Sequence, residues 1–378
     1  MSIERPCQNV ISRIWLMRIN QSGAVYSRQN AFDFLRVVAA LAVLLSHSFP
    51  VVGLHEPTPV AGLTMGKLAV AVFFAISGYL VCQSWQADPH VGRFAARRAL
   101  RIFPGLLVML LLTVLALGPA LTEVRLSEYF GAGATWKSLF YGVLGLGSFP
   151  LPGLFERNPM PGGVNGSLWT IKYELLMYCL LALLGRLTGR VTPGWILAAL
   201  SGAACWIVLW LAGVPSLSVP GMWRLGLEVY VDRIAYLSVY FFAGVGLYMM
   251  RQKVPLSWSA VAVGVVSLLL VDNANFAMLV SWLVVPYSAI CFAVRAPAPF
   301  TRLKGHDYSY GVYIYAFPVQ QACASIGTQH GYGWGGVTLA SLAATLALAA
   351  VSWYFVEEPA LRLKNRLRAV GIGTYIPQ

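Results

Sequence analysis

The sequence predicts an all-α, polytopic membrane protein of about ten transmembrane helices, with both termini cytoplasmic, in the inner (plasma) membrane. Three observations carry that expectation. Of 378 residues, 58% are hydrophobic and 11% charged, and mean hydropathy is +0.67, against roughly 45–50% apolar and about 25% charged in a soluble domain. Apolar runs recur at close to the roughly 20 residues that a bilayer-crossing helix needs. Lys and Arg gather in alternate connections, as the positive-inside rule requires. The net charge of +13 is therefore assigned to membrane orientation, and no nucleic-acid partner is expected. The six cysteines include no CxxC pair and mostly sit in apolar runs, so they read as small buried hydrophobes and no metal is expected.

Residues 1–30 contain Arg5, Arg13, Arg18 and Arg28 but no uninterrupted apolar stretch. They read as a cytoplasmic N-terminal extension rather than a cleaved signal peptide. The transmembrane domain occupies 31–358. Its expected spans are Phe34–Val52, Lys67–Trp85, Phe103–Leu121, Ser167–Leu184, Pro193–Ala212, Ile234–Met250, Trp258–Leu270, Phe276–Val294, Tyr308–Ile326 and Val337–Phe355. The stretch QADPHVGRFAARRALRIFP between the second and third carries Arg93, Arg97, Arg98 and Arg101 and reads as a cytoplasmic loop. Thr122–Gly166 holds only a short apolar run, Leu139–Leu151, interrupted by glycines and Pro150. Reading it as a non-spanning external segment leaves the later basic connections on the cytoplasmic side. Residues 359–378 form a basic cytoplasmic tail along the lipid of the inner leaflet.

Polar residues inside the apolar runs are the functional candidates, because an ionisable group in hydrocarbon persists mainly where it faces protein or a water-filled cavity. Arg36 and His47 lie eleven residues apart on the first span. In an α-helix that is about 16 Å of rise and about 20° of rotation, so both project from one face at different depths. A snorkelling arginine with a hydrogen-bonded histidine is the structural alternative. On the fourth span Ser167, Thr170, Glu174 and Tyr178 share one face. A buried Glu174 needs a partner, and His47, Arg36 and Lys172 are candidates. Ser77-Gly78 in the second span suits either close helix packing or a site. Arg98 and Arg101, three apart, either grip a phosphorylated ligand or serve topology. Tyr310 lies in a span rich in tyrosine, which either lines a polar cavity or belongs to the aromatic belt, and Glu357-Glu358-Pro359 closes the last span.

In collinear order, Arg36…His47, FFAISGYL, Arg98-Ala-Leu-Arg101, SLWTIKYE, SYGVYIY and Glu357-Glu358-Pro359 resemble the motif set of the acyltransferase-3 family of integral membrane acyltransferases. That resemblance implies transfer of an acyl group, commonly acetyl from acetyl-CoA or another acyl-CoA, to a hydroxyl of a cell-surface or exported carbohydrate. It implies His47 as the general base, or as a covalent relay of the acyl group, with Glu174 orienting or charge-balancing the site. It implies Arg36, Arg98 and Arg101 on the donor phosphates, and Ser77, Trp169, Tyr310 and Glu357 around the substrates. Ala316 stands where many members have a second histidine. The alternative for the same ionisable residues is a proton-coupled transporter or flippase of a polar solute, which has no need of a donor-side RxxR.

Overall fold

The computed structural model describes residues 30–147, 149–188, 193–211, 231–303 and 305–363. The extension at 1–29 and most of the basic tail, 364–378, lie outside the described residues. Among the described residues the protein is helical, without strands. The helices are α1 (Phe32–His47), α2 (Met65–Ala87), α3 (Val91–Leu112), α4 (Leu126–Gly131), α5 (Gly133–Val143), α6 (Ile171–Thr188), α7 (Pro193–Leu211), α8 (Val231–Met249), α9 (Trp258–Leu269), α10 (Ala274–Arg295), α11 (Ser309–Gln329) and α12 (Trp334–Ser352).

Every apolar run expected to span carries a helix, but among the described residues six stretches are long and apolar enough to cross a membrane. These are Phe32–Val52, Met65–Ala87, Val91–Leu121, Leu168–Thr188, Ala274–Arg295 and Trp334–Leu363. The others fall short for different reasons. α9, with 12 residues, is about 18 Å long against a hydrocarbon core of about 30 Å. The Thr122–Gly166 segment contains α4 and α5, of 6 and 11 residues, and neither reaches across a bilayer. One expectation is corrected outright. Arg93–Arg101 is not a loop but the opening turns of α3, whose first free N–H group is capped by the His90 ring, with Arg93 N donating to His90 Nδ1 at 3.2 Å. The alanine-rich sequence around these arginines favours helix, and their charge says nothing against it.

α2 is the centre of the bundle: 67% of its apolar window is buried, against 28% for Trp334–Leu363. It packs on α1, α8 and α10, while α1 also packs on α11 and α11 on α12. The α2–α8 crossing is close because it is glycine on glycine. A Cβ on Gly78 would lie 1.9 Å from the Phe241 carbonyl oxygen, and one on Gly244 would lie 2.0 Å from that of Ala75. Small residues allow such approach where lipid supplies no hydrophobic drive between helices. Leu283, Phe355, Leu270 and Leu187 are instead largely exposed on the outside, as lipid-facing positions are. Two π turns interrupt the helices, Thr113–Leu117 continuing α3 and Trp353–Glu357 continuing α12. Each such turn shifts the register of the next helical turn by one residue, and the second ends with Glu357 pointing inward, 2% exposed.

Candidate functional site

At the end of the bundle where α1 and α11 begin, a cavity of about 560 Å³ opens between α1, α2, α3, α6 and α11. Arg36, Ser77, Arg98, Arg101, Glu174 and Tyr310, six of the residues singled out from sequence, line it together with Tyr178, Asp307 and Tyr313. Each reaches it for a local reason. Ser77 turns away from the glycine crossing one residue on, so the Ser-Gly pair serves packing and cavity at once. Arg98 and Arg101 share a face of α3, one turn apart. Thr170, Glu174 and Tyr178 form one stripe of α6 facing the cavity.

The cations are not equivalent. Arg101 Nη2 and Arg36 Nη1 both donate to Asp307 Oδ2, at 2.5 and 2.9 Å. Arg101 Nη1 also lies 3.6 Å from Glu357 Oε2, whose other oxygen accepts from Ser352 Oγ at 2.9 Å. Asp307 is buried, which alone would raise its carboxyl, but Arg101 and then Arg36 beside it hold it below the usual carboxylate range. Arg97, 4% exposed, is taken by Asp88 at 2.5 Å, which also receives Arg93. Arg98 forms no salt bridge among the described residues. Its guanidinium sits 5.7 Å from the Tyr178 ring centroid and 5.9 Å from that of Phe94, and its Nε is buried without a partner. One arginine thus faces the cavity without a carboxylate at salt-bridge distance, its charge balanced only by the Tyr178 hydroxyl and, further off, by Glu174.

Glu174 accepts from Ser77 Oγ at 3.1 Å and from Tyr178 OH, and these hydroxyls are themselves 3.1 Å apart. Its hydrogen bonds come from hydroxyls rather than from His47 or Arg36; Lys172 lies 5.5 Å from the Tyr173 ring. Tyr310 donates to the Ile102 carbonyl at 2.7 Å under the Arg101 guanidinium, and Tyr313 donates to the Ser167 carbonyl at 2.8 Å beside Thr170.

His47 lies apart from this cluster, at the far end of α1. Its ring meets Phe317 edge-on, with centroids 5.3 Å apart, and its Nδ1 is shielded from solvent without a hydrogen-bond partner. Phe317 stands one turn beyond Tyr313 on α11, so the two levels are about 6 Å apart along that helix. Gln320, a further turn on and fully buried, donates to the Leu44 carbonyl of α1 at 2.7 Å and leaves its own Oε1 unpaired. Trp169 does not line the cavity; its ring meets that of Tyr173 edge-on and lies under Arg233. Ala316 is fully buried.

Asp307 and Asp88 were missed from sequence. Both sit just outside an apolar run, at a helix end, where an acidic residue carries no cost and attracts no notice. A signal was present at Asp307, two residues before α11 begins: Ser309 N donates to its Oδ1 at 3.1 Å, a capping arrangement.

The acyltransferase-domain family model matches residues 29–356. The chain is 34% identical over 351 residues to a protein of Shigella phage Sf6 named O-acetyl transferase, covering 88% of this chain and 96% of the phage protein. It is 28% identical over 368 residues to "Nodulation protein 10" of Rhizobium leguminosarum bv. viciae, covering 90% of this chain and 95% of that protein. No solved structure matches it.

Proposed function

The chain belongs to the acyltransferase-3 family and is a multi-pass membrane acyltransferase, and on that premise we propose that it moves an acetyl group from acetyl-CoA to a hydroxyl of a cell-surface or exported carbohydrate. The observation that carries this reading is the division of α1 between an arginine-lined cavity at one end and an unpartnered imidazole at the other. Arg98, without a salt bridge beside the paired Arg36 and Arg101, suits the anionic head of a CoA donor, for which charge-assisted forks are the strongest recognition available. The long thioester arm of such a donor matches a site whose anion-binding and proton-accepting groups are separated along one helix. The arginine end is then the cytoplasmic end, in keeping with Arg93, Arg97, Arg98 and Arg101 gathered there.

At His47, a ring nitrogen of the imidazole takes the proton of the acceptor hydroxyl. The hydroxyl oxygen then bonds to the acyl carbon as the carbon–sulfur bond breaks, and the thiolate leaves with the electron pair. The edge of Phe317 holds the ring from one side, and a neutral imidazole with a free ring nitrogen is able to accept. Glu174 shapes the cavity wall through Ser77 and Tyr178. Residues 359–363, the described start of the tail, carry Arg362 paired to Glu358 at 2.9 Å.

The test is transfer of label from radiolabelled acetyl-CoA into membrane glycan. His47→Ala is expected to lower transfer by about 10²–10⁴-fold with donor binding intact, and full transfer by that variant would refute the role of the imidazole. Arg98→Gln is expected to raise the KM for acetyl-CoA about tenfold with little change in kcat; an unchanged donor dependence would remove the donor site from the arginine end.

A further inference from the structure

Two arginines from different helices, Arg36 on α1 and Arg101 on α3, donate to one and the same carboxylate oxygen, Asp307 Oδ2. Guanidinium groups brought that close repel each other unless an anion stands between them. The other oxygen, Oδ1, accepts from Ser309 N at 3.1 Å and from Ser309 Oγ, so the carboxylate is fixed at the first turn of α11 and cannot turn to follow either arginine. A helix N-terminus also favours negative charge at that point. Asp307 is buried, and neither the motif set nor the in-span polar residues include it.

We propose that Asp307 is the positioning residue of the donor site. It sets the spacing of Arg36 and Arg101 on the cavity wall, so that an anionic donor meets one cation that has no salt bridge, Arg98, beside two that are already aligned. The proposal rests on reading the arginine end as the donor site. The geometry assigns different work to the cations. Arg36 reaches its carboxylates through Nη1 alone, at 2.9 Å to Asp307 and 3.7 Å to Asp33, which leaves the remaining N–H groups of its fork for a ligand. Arg101 Nη1 is buried, has no hydrogen bond and lies 3.6 Å from Glu357 Oε2. Without Asp307 the two guanidinium groups separate and their forks no longer face one ligand, which is a loss of preorganisation rather than of chemistry.

The experiment is steady-state transfer by Asp307→Asn, a near-isosteric change in which the amide oxygen still accepts from Ser309. The KM for acetyl-CoA should rise about tenfold or more, while kcat at saturating donor and the KM for the acceptor glycan stay within about threefold of wild type. Ser309→Ala, which frees Oδ1 on one side, should raise donor KM in the same direction by a smaller factor, and it carries the test alone if the asparagine variant does not accumulate in folded form. An unchanged donor KM in the folded variant, or a fall in kcat with donor KM unmoved, would overturn the proposal. Arg98→Gln separates the two levels of the argument. If Arg98→Gln raises donor KM and Asp307→Asn does not, Asp307 has no positioning role. If neither moves it, the arginine end is not the donor site and both readings fall.

Discussion

The two ends of α11 are held by opposite kinds of chemistry. At its start, Asp307 binds Arg36 and Arg101, and Glu357 stands behind them, so α1, α3, α11 and the turn after α12 are joined by formal charges. Three turns later the same helix is fastened by neutral amides. Gln320 donates to the Leu44 carbonyl, and Gln321 donates to the carbonyls of Met160 and Gly163 at 2.9 and 2.7 Å. Asn158 donates to the Gln321 carbonyl at 2.9 Å, and between the two levels Asn165 donates to that of Ile314 at 2.8 Å. The charged end adds little net stability, because desolvation of buried ions consumes most of their attraction. It presents charge in a fixed place. The amide end ties the loop before α6 against Phe317, the ring that His47 meets edge-on. One end is arranged for binding an anion and the other for holding backbone in place. Substitutions in the two should therefore fail in different ways.

The largest effect should come from breaking what both ends share. Gly78→Val places a side chain where the α8 backbone already stands, and backbone cannot yield as a flexible side chain does. Loss of the folded protein is expected, seen as collapse of the size-exclusion peak in detergent; a folded variant with wild-type thermal midpoint would mean that the α2–α8 crossing does not hold the bundle. Gln321→Leu should act on the amide end alone. It removes the side-chain donor to the Gly163 and Met160 carbonyls and one of the two acceptors of the Asn158 amide, at about 1–3 kcal/mol for an unsatisfied group. Faster hydrogen exchange and proteolysis across residues 158–163 should result, with donor KM unchanged. If donor KM rises as much as loop exchange does, the two ends are not independent.

How much of this was legible in the sequence varies by residue. Apolar runs marked the helices because burial in lipid demands that every backbone group be satisfied within the segment. Arg36, Ser77, Glu174 and Tyr310 were found because a polar side chain inside such a run is costly and conspicuous, and Arg98 and Arg101 because two arginines three apart share a helical face. Asp307 and Asp88 were not, since both lie outside the apolar runs, and the partners of Asp307 are far away in the chain. The level of His47 relative to Glu174 was not legible either. Periodicity gives the face of a helix but not its tilt or its depth against a neighbour, and the structure seats the two residues on different partners. Glu357 was found as a motif residue, yet its inward direction depends on the π turn before it, a register shift that no pattern of apolar residues announces.

The smallest effect concerns Asp88, which closes α2 and joins Arg93 at 2.6 Å and Arg97 at 2.5 Å. The hydrogen bond from Arg93, against some opposing burial and with Arg97 adding to it, holds its carboxyl well below the usual carboxylate range. A carboxyl depressed in the folded state stabilises that state above its unfolded value of about 3.9, and the contribution is lost as pH falls through the folded value. Asp88→Asn should therefore lower the thermal midpoint at pH 7 by about 2–4 °C, a modest loss because the pair is partly open to solvent. The gap between variant and wild type should narrow as the pH is taken below about 4. A gap that stays constant down to about pH 3 would mean that Asp88 acts through the shape of its hydrogen bonds and not through its charge. Arg98 would then owe its freedom to its position on α3 and not to an ion pair that occupies its neighbour.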